Sequence, residues 1–209
     1  MPTIPAEKVQ PLVRLFTQWT IGHTGSGEVL SKAHFDDRPA RNYALFNPNP
    51  RRFLQYEDQT WGINLGWTDD ASEATGQKVA RWFFAKPNGT GGPVRYGDRI
   101  ALANGRGRSF LRHEGRTFGI DLDWSGPPIY EWRILGGPTG TPVRQGELVA
   151  ILNLKIREFF VYFDRNIGAD IGYSDSHRWE DILPEPLRAL IKEYGDDAVK
   201  AAVVAAMSA

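Results

Sequence analysis

Trp61-Gly-Ile-Asn-Leu-Gly-Trp67, Phe118-Gly-Ile-Asp-Leu-Asp-Trp124 and Ile167-Gly-Ala-Asp-Ile-Gly-Tyr173 are three versions of one stretch. Each follows an asparagine (Asn47, Asn104 or Asn153) at a fixed distance. Leu54, Leu111 and Phe160 stand 7 residues after it, Gly62, Gly119 and Gly168 stand 15 after it, and Trp67, Trp124 and Tyr173 stand 20 after it. A shared register of this kind marks one supersecondary unit used three times.

The register extends upstream. Pro93-Val-Arg-Tyr-Gly-Asp-Arg-Ile-Ala-Leu-Ala-Asn104 parallels Pro142-Val-Arg-Gln-Gly-Glu-Leu-Val-Ala-Ile-Leu-Asn153, and Trp82 and Trp132 lead into these runs through loops rich in Gly and Pro. Trp19 holds that place in the first copy. There the path from Val29 to Asn47 takes 18 residues instead of ten, which places an insertion around His34 to Arg41. The copies then cover about 16–78, 79–128 and 129–177, after a leader of 1–15 and before a tail of 178–209.

Short apolar runs punctuated by 22 Gly and 14 Pro read as strands joined by turns. Each copy offers four: one at its tryptophan, one before the aligned asparagine, one at Phe53–Tyr56, Phe110–His113 or Phe159–Phe163, and one at the Gly-Ile stretch. Strand alternation puts Trp61, Ile63, Leu65 and Trp67 on one face, with Asn64 and Gly66 on the other. The tail departs from this pattern. Leu187, Leu190, Ile191 and Tyr194 have helical spacing, Gly195 is a stop, and Asp196 to Met207 has an acidic first turn and strong helix formers. Leu12, Val13 and Phe16 suggest a further short helix from about Ala6.

The charge is balanced, with 25 Lys and Arg against 25 Asp and Glu, so nothing draws the chain to a polyanion, and nucleic acid is not an expected partner. There is no cysteine, no apolar run of membrane-spanning length and no apolar signal core at Met1-Pro-Thr-Ile-Pro. A cytoplasmic protein, or one exported by another route, is expected. Asn88-Gly-Thr90 matches a glycosylation acceptor but reads as a turn.

Three four-stranded units of about 50 residues with a recurring Trp and a Gly-Ile-Asx-Leu stretch resemble a β-trefoil over about residues 16–177. Within that superfamily the pattern is most similar to ricin-B-type lectins, whose repeats carry a Gln-x-Trp element. Gln18-Trp19, Arg81-Trp82 and Glu131-Trp132 stand in the corresponding place without the full spelling. The Pro-Val-Arg-x-Gly-Asp/Glu run is also similar to fascin-like and MIR-type trefoils. The resemblance implies an all-β trefoil with a helical appendage, acting as a non-enzymatic binding scaffold for a carbohydrate or glycoconjugate. It implies no cofactor.

Two residue sets are candidate ligand contacts. Trp67, Trp124 and Tyr173 are rings able to stack under a sugar face, and they are equally suited to layers of a pseudo-three-fold core. Asn64, Asp121, Asp123 and Asp170 offer oxygens to sugar hydroxyls, or else fasten turns. Asp is disfavoured in strands, so its recurrence there needs a cause. Asp98 and Glu147 read as turn carboxylates. Arg51, Arg52, Arg106, Arg108, Arg112 and Arg116 form a cationic hairpin region, suited to an anionic ligand or to solvent. His23, His34, His113 and His177 lack metal-ligand spacing. Two further readings remain open: a protein- or membrane-binding trefoil that uses the insertion, the arginines and the tail, and an enzyme built around His34, Asp36, Asp37 and the tail.

Overall fold

The computed structural model describes residues 4–22, 43–69, 82–87, 92–117, 119–162, 169–174 and 185–209. The insertion with His34, Asp36 and Asp37, together with His23, Arg81, the Asn88-Gly-Thr90 turn, Phe118, Phe163, Gly168 and His177, lies outside them. Among the described residues the chain is mostly β, with twelve strands paired antiparallel throughout. They are β1 (Trp19–Ile21), β2 (Leu45–Asn47), β3 (Arg52–Gln55), β4 (Gly66–Thr68), β5 (Trp82–Ala85), β6 (Arg99–Asn104), β7 (Ser109–His113), β8 (Leu122–Ser125), β9 (Trp132–Leu135), β10 (Leu148–Asn153), β11 (Glu158–Tyr162) and β12 (Ile171–Tyr173). Three helices join them: α1 (Ala6–Phe16), α2 (Glu185–Tyr194) and α3 (Asp196–Ser208).

Six strands pair in a closed circuit. β1 pairs with β2, and Tyr43, just ahead of β2, bridges to Trp82 of β5 through N–H···O bonds of 2.7 and 3.0 Å. β5 pairs with β6, β6 with β9, β9 with β10, and β10 with β1. Closure leaves no open edge along this path. From β2, β6 and β10 extend the strand pairs β3–β4, β7–β8 and β11–β12.

Trp19, Trp82 and Trp132 are fully buried inside. The indole N–H of Trp82 donates to the Leu54 carbonyl (2.7 Å), that of Trp132 to Leu111 (2.7 Å) and that of Trp19 to Phe160 (2.6 Å). Each bond runs from one segment to a strand of another, so the three together form a cycle. The turns after β2, β6 and β10 are alike as well. The buried side chains of Asn47, Asn104 and Asn153 accept from the amides of Asn49 (3.0 Å), Arg106 (2.9 Å) and Lys155 (2.9 Å), forming Asx-turns.

The strand at the Gly-Ile stretch differs from the expected one. β4 begins only at Gly66, and Leu65 N–H bonds back to the Ile63 carbonyl (2.7 Å). Leu122 bonds to Ile120 and Ile171 to Ala169 in the same way, both at 2.7 Å. These i→i+2 bonds are tight γ-turns, which break the alternation. Ile63 and Leu65 therefore stay buried while Trp61 is 89 % exposed.

The helices cover one outer face. Val9, Leu12 and Phe16 of α1, spaced on one helical stripe, pack with Leu190, Val199, Val203 and Met207 against Leu135, Leu152, Phe159 and Val161 of the sheet. Phe16 stacks on Phe159 with centroids 4.6 Å apart. The last carbonyls of α3, which have no helical partners, accept from Gly136 N–H (Met207 carbonyl, 3.2 Å) and from Thr139 (Ser208 carbonyl, 3.2 Å). No described helix is long and apolar enough to cross a membrane.

One ion cluster is enclosed in this interface. The buried Lys200 ammonium of α3 pairs with Glu158 of β11 and with Asp196 (2.7 Å), and Glu158 also accepts from Ser174 (3.1 Å). Two carboxylates share one cation, with Lys200 and Glu158 largely shielded from water and Asp196 partly exposed. Burial, reinforced by Asp196 and opposed by Lys200, raises the Glu158 carboxyl to about 7. A folded-state value above the unfolded one means that protonated Glu158 favours the native state. That contribution is whole below about 4.5 and is lost as pH rises through about 7. The melting temperature of the native chain relative to Glu158→Gln should therefore fall between pH 5 and 7.5, as read by circular dichroism. A difference that does not change with pH contradicts this assignment.

Candidate functional site

The three candidate rings lie against the core tryptophans. Trp67 stacks on Trp19 (centroids 6.1 Å, planes 10° apart), Trp124 on Trp82 (6.1 Å, 27°) and Tyr173 on Trp132 (6.2 Å, 14°). Trp67 also meets the Tyr162 ring, Trp124 the Tyr56 ring and Tyr173 the His113 ring. Trp67 and Trp124 are half-buried, and Tyr173 is buried at 6 % exposure. Burial, with Glu131 and Asp121 nearby, raises the Tyr173 hydroxyl above its usual range. One face of every ring is thus taken, and what remains open belongs to the indoles of Trp67 and Trp124.

The recurring Asx has a local cause. Asn64, Asp121 and Asp170 are the central residues of the three γ-turns. Asn64 Oδ1 accepts from the Gln59 amide (3.1 Å) and its Nδ2 donates to Tyr56 (2.9 Å), while Asp121 Oδ1 accepts from the Arg116 amide (2.8 Å). The side chain closes the loop five residues wide that precedes it, which a strand residue has no occasion to do.

Asp123 is different. It faces Arg112 across the β7–β8 ladder, and its two oxygens take Arg112 Nη2 (3.4 Å) and Arg116 Nη2 (2.9 Å). Arg112 Nη1 also reaches Glu114 (3.1 Å). The four side chains are 28–43 % exposed. Trp124 is the next residue along β8. This is a preformed array of acceptors and donors, with Arg112 and Asp123 on paired strands and Glu114 and Arg116 on the loop after β7, and strand alternation turns the Trp124 indole to the opposite face, against Trp82. The other copies lack it. Gly66 and Gly172 stand where Asp123 does, and a Cβ on Gly66 would clash with the Glu57 carboxylate. Gln55 Nε2 holds that carboxylate (3.2 Å).

The remaining candidates fall into place around these. Asp98 and Glu147 accept from the amides three residues earlier, Arg95 (2.9 Å) and Arg144 (3.1 Å). Glu147 also takes the Tyr96 hydroxyl (2.9 Å), and burial followed by this bond raises Tyr96 above its usual range. Arg52 pairs with Asp69 (2.5 Å) and Arg106 with Asp58 (3.1 Å). No three His, Cys, Asp or Glu among the described residues are placed to hold a metal.

Sequence reasoning passed over Glu131, whose carboxylate is buried and accepts from the His113 amide and Asn153 Nδ2 (3.1 Å). Gln18 does the same for the Tyr162 amide (3.0 Å). The residue before each of these tryptophans is thus a fastener, and the place of Gln18 and Glu131 in the repeat register was the available signal. Arg133 and Arg157, which border a cleft under α3, carried no motif at all. No protein-family model matches the sequence, and no curated protein matches it.

The two aspartates of this site separate by stability. Asp121→Ala strands the Arg116 amide and should cost about 1 kcal/mol in chemical denaturation. Asp123→Ala, which removes only half-exposed ion pairs, should shift stability by no more than about 0.5 kcal/mol. Equal losses would place both residues in the same role.

Proposed function

We propose that this chain is a β-trefoil binding protein whose ligand is a carbohydrate, held at a shallow site on the β7–β8 ladder of the second copy. Three observations support the trefoil: the closed circuit of six strands, the three attached strand pairs, and the cycle of tryptophan N–H bonds. The carrying observation for the site is the half-exposed Arg112–Asp123–Arg116 array. Asp123 offers charged acceptors to sugar hydroxyls, and the two guanidinium forks offer donors. On this reading Asn64 and Asp121 hold their loops, Asp170 stands at the corresponding γ-turn, and Trp67 and Tyr173 serve the core of copies that bind nothing.

A protein-contact reading has one observation in its favour, the 89 % exposed Trp61 at the loop between β3 and β4. Exposed aromatic residues are frequent interface anchors.

A glycan array read with the native chain and Asp123→Ala tests the proposal. Saturable binding that the substitution weakens by about tenfold or more is expected, since hydrogen bonds to a charged group are at stake. Binding that Asp123→Ala leaves unchanged, or no binding by a folded sample, overturns it. In the second case a Trp61→Ala comparison in a protein-partner screen becomes the relevant experiment.

A further inference from the structure

A cleft of about 410 Å³ lies between α3 and the outer face of β9–β10 and shares no lining residue with the β7–β8 array. Its apolar wall comes from Leu152 and Leu154 of the sheet side and from Ala201, Val204 and Ala205 of the helix. The volume is within the span of small-molecule sites, about 300–1,000 Å³. Its charged groups are unevenly matched. Lys200 is already held by Glu158 and Asp196. The side chains of Arg133, from β9, and Arg157, from the β10–β11 turn, have no hydrogen-bond or ion-pair partner among the described residues, and the Arg133 Nε is shut off from solvent. Among the described lining residues Asp197 is the one acidic group.

Arg133 lines the cleft and Arg157 stands exposed on its wall, so both offer guanidinium donors to an anion that enters. We propose that this cleft binds a small amphiphilic carboxylate, its apolar body along Leu152, Leu154 and Val204 and its carboxylate between Arg133 and Arg157. Guanidinium forks match carboxylate geometry bidentately, which a neutral lipid or an alcohol would not exploit. Because α3 forms one wall and the sheet the other, occupancy also joins the tail to the barrel. Binding here is independent of the carbohydrate reading.

The probe is decanoate, below its micellar concentration, titrated into the full chain by calorimetry, with decanol and inorganic phosphate as comparisons. Saturable one-to-one binding of decanoate is expected, with a rise in melting temperature. Arg133→Gln and Arg157→Gln should each weaken it by about tenfold. Ala205→Phe, at an exposed position on the cleft wall, should abolish it while leaving the circular dichroism spectrum and melting temperature of the free chain in place. Decanol binding as tightly would remove the role of the arginines, and phosphate binding as tightly would remove that of the apolar wall. Either result overturns the proposal, as does decanoate binding that survives Ala205→Phe, or no decanoate binding at all.

Discussion

Everything in the barrel depends on three indole N–H groups. A tryptophan buried whole in a core usually needs an acceptor there for its one donor. Trp19, Trp82 and Trp132 satisfy this by reaching the backbone carbonyls of Phe160, Leu54 and Leu111. Each acceptor lies in a strand of another segment, so burial of one segment requires the folded presence of the next. The stacked pairs Trp19–Trp67, Trp82–Trp124 and Trp132–Tyr173 extend the same coupling with a second layer of rings. A chain without cysteine closes its barrel by this cycle of bonds and the ladder pairings.

That requirement explains which parts were legible in the sequence. The spacing from Asn47, Asn104 and Asn153 to Leu54, Leu111 and Phe160 spans one Asx-turn and half a strand, and turn geometry tolerates no change of length there. The helices were legible for a different reason: Val9, Leu12 and Phe16, like Val199, Val203 and Met207, repeat at helical spacing because one face meets the sheet. What misled the reading was the Gly-Ile-Asx-Leu stretch. Apolar residues at alternate positions look like a strand, yet a γ-turn with the Asx at its centre also buries Ile63 and Leu65, and it leaves Trp61 outside. Alternation alone does not distinguish the two.

The candidate site was legible only by residue type. Asp121 and Asp123 are two apart on one stretch, and nothing in the sequence says that one ties a loop while the other stands in a ladder opposite Arg112. The difference is one of partners brought from elsewhere in the hairpin. The same holds for Lys200, an ordinary helix residue in the sequence, whose partner Glu158 lies in another element altogether. The departures from the shared register, Asp123 against Gly66 and Gly172, and a tail packed on β9, β10 and β11, are where specific chemistry accumulates.

The most direct test of the coupled-tryptophan account is hydrogen exchange at the indole protons, followed by nuclear magnetic resonance on the nitrogen-15-labelled chain. The indole N–H groups of Trp19, Trp82 and Trp132 should exchange with one common protection, equal to that of global unfolding, while that of exposed Trp61 exchanges at once. If any one of the three exchanges well before the other two, the segments open independently and the cycle of bonds does not hold the barrel together.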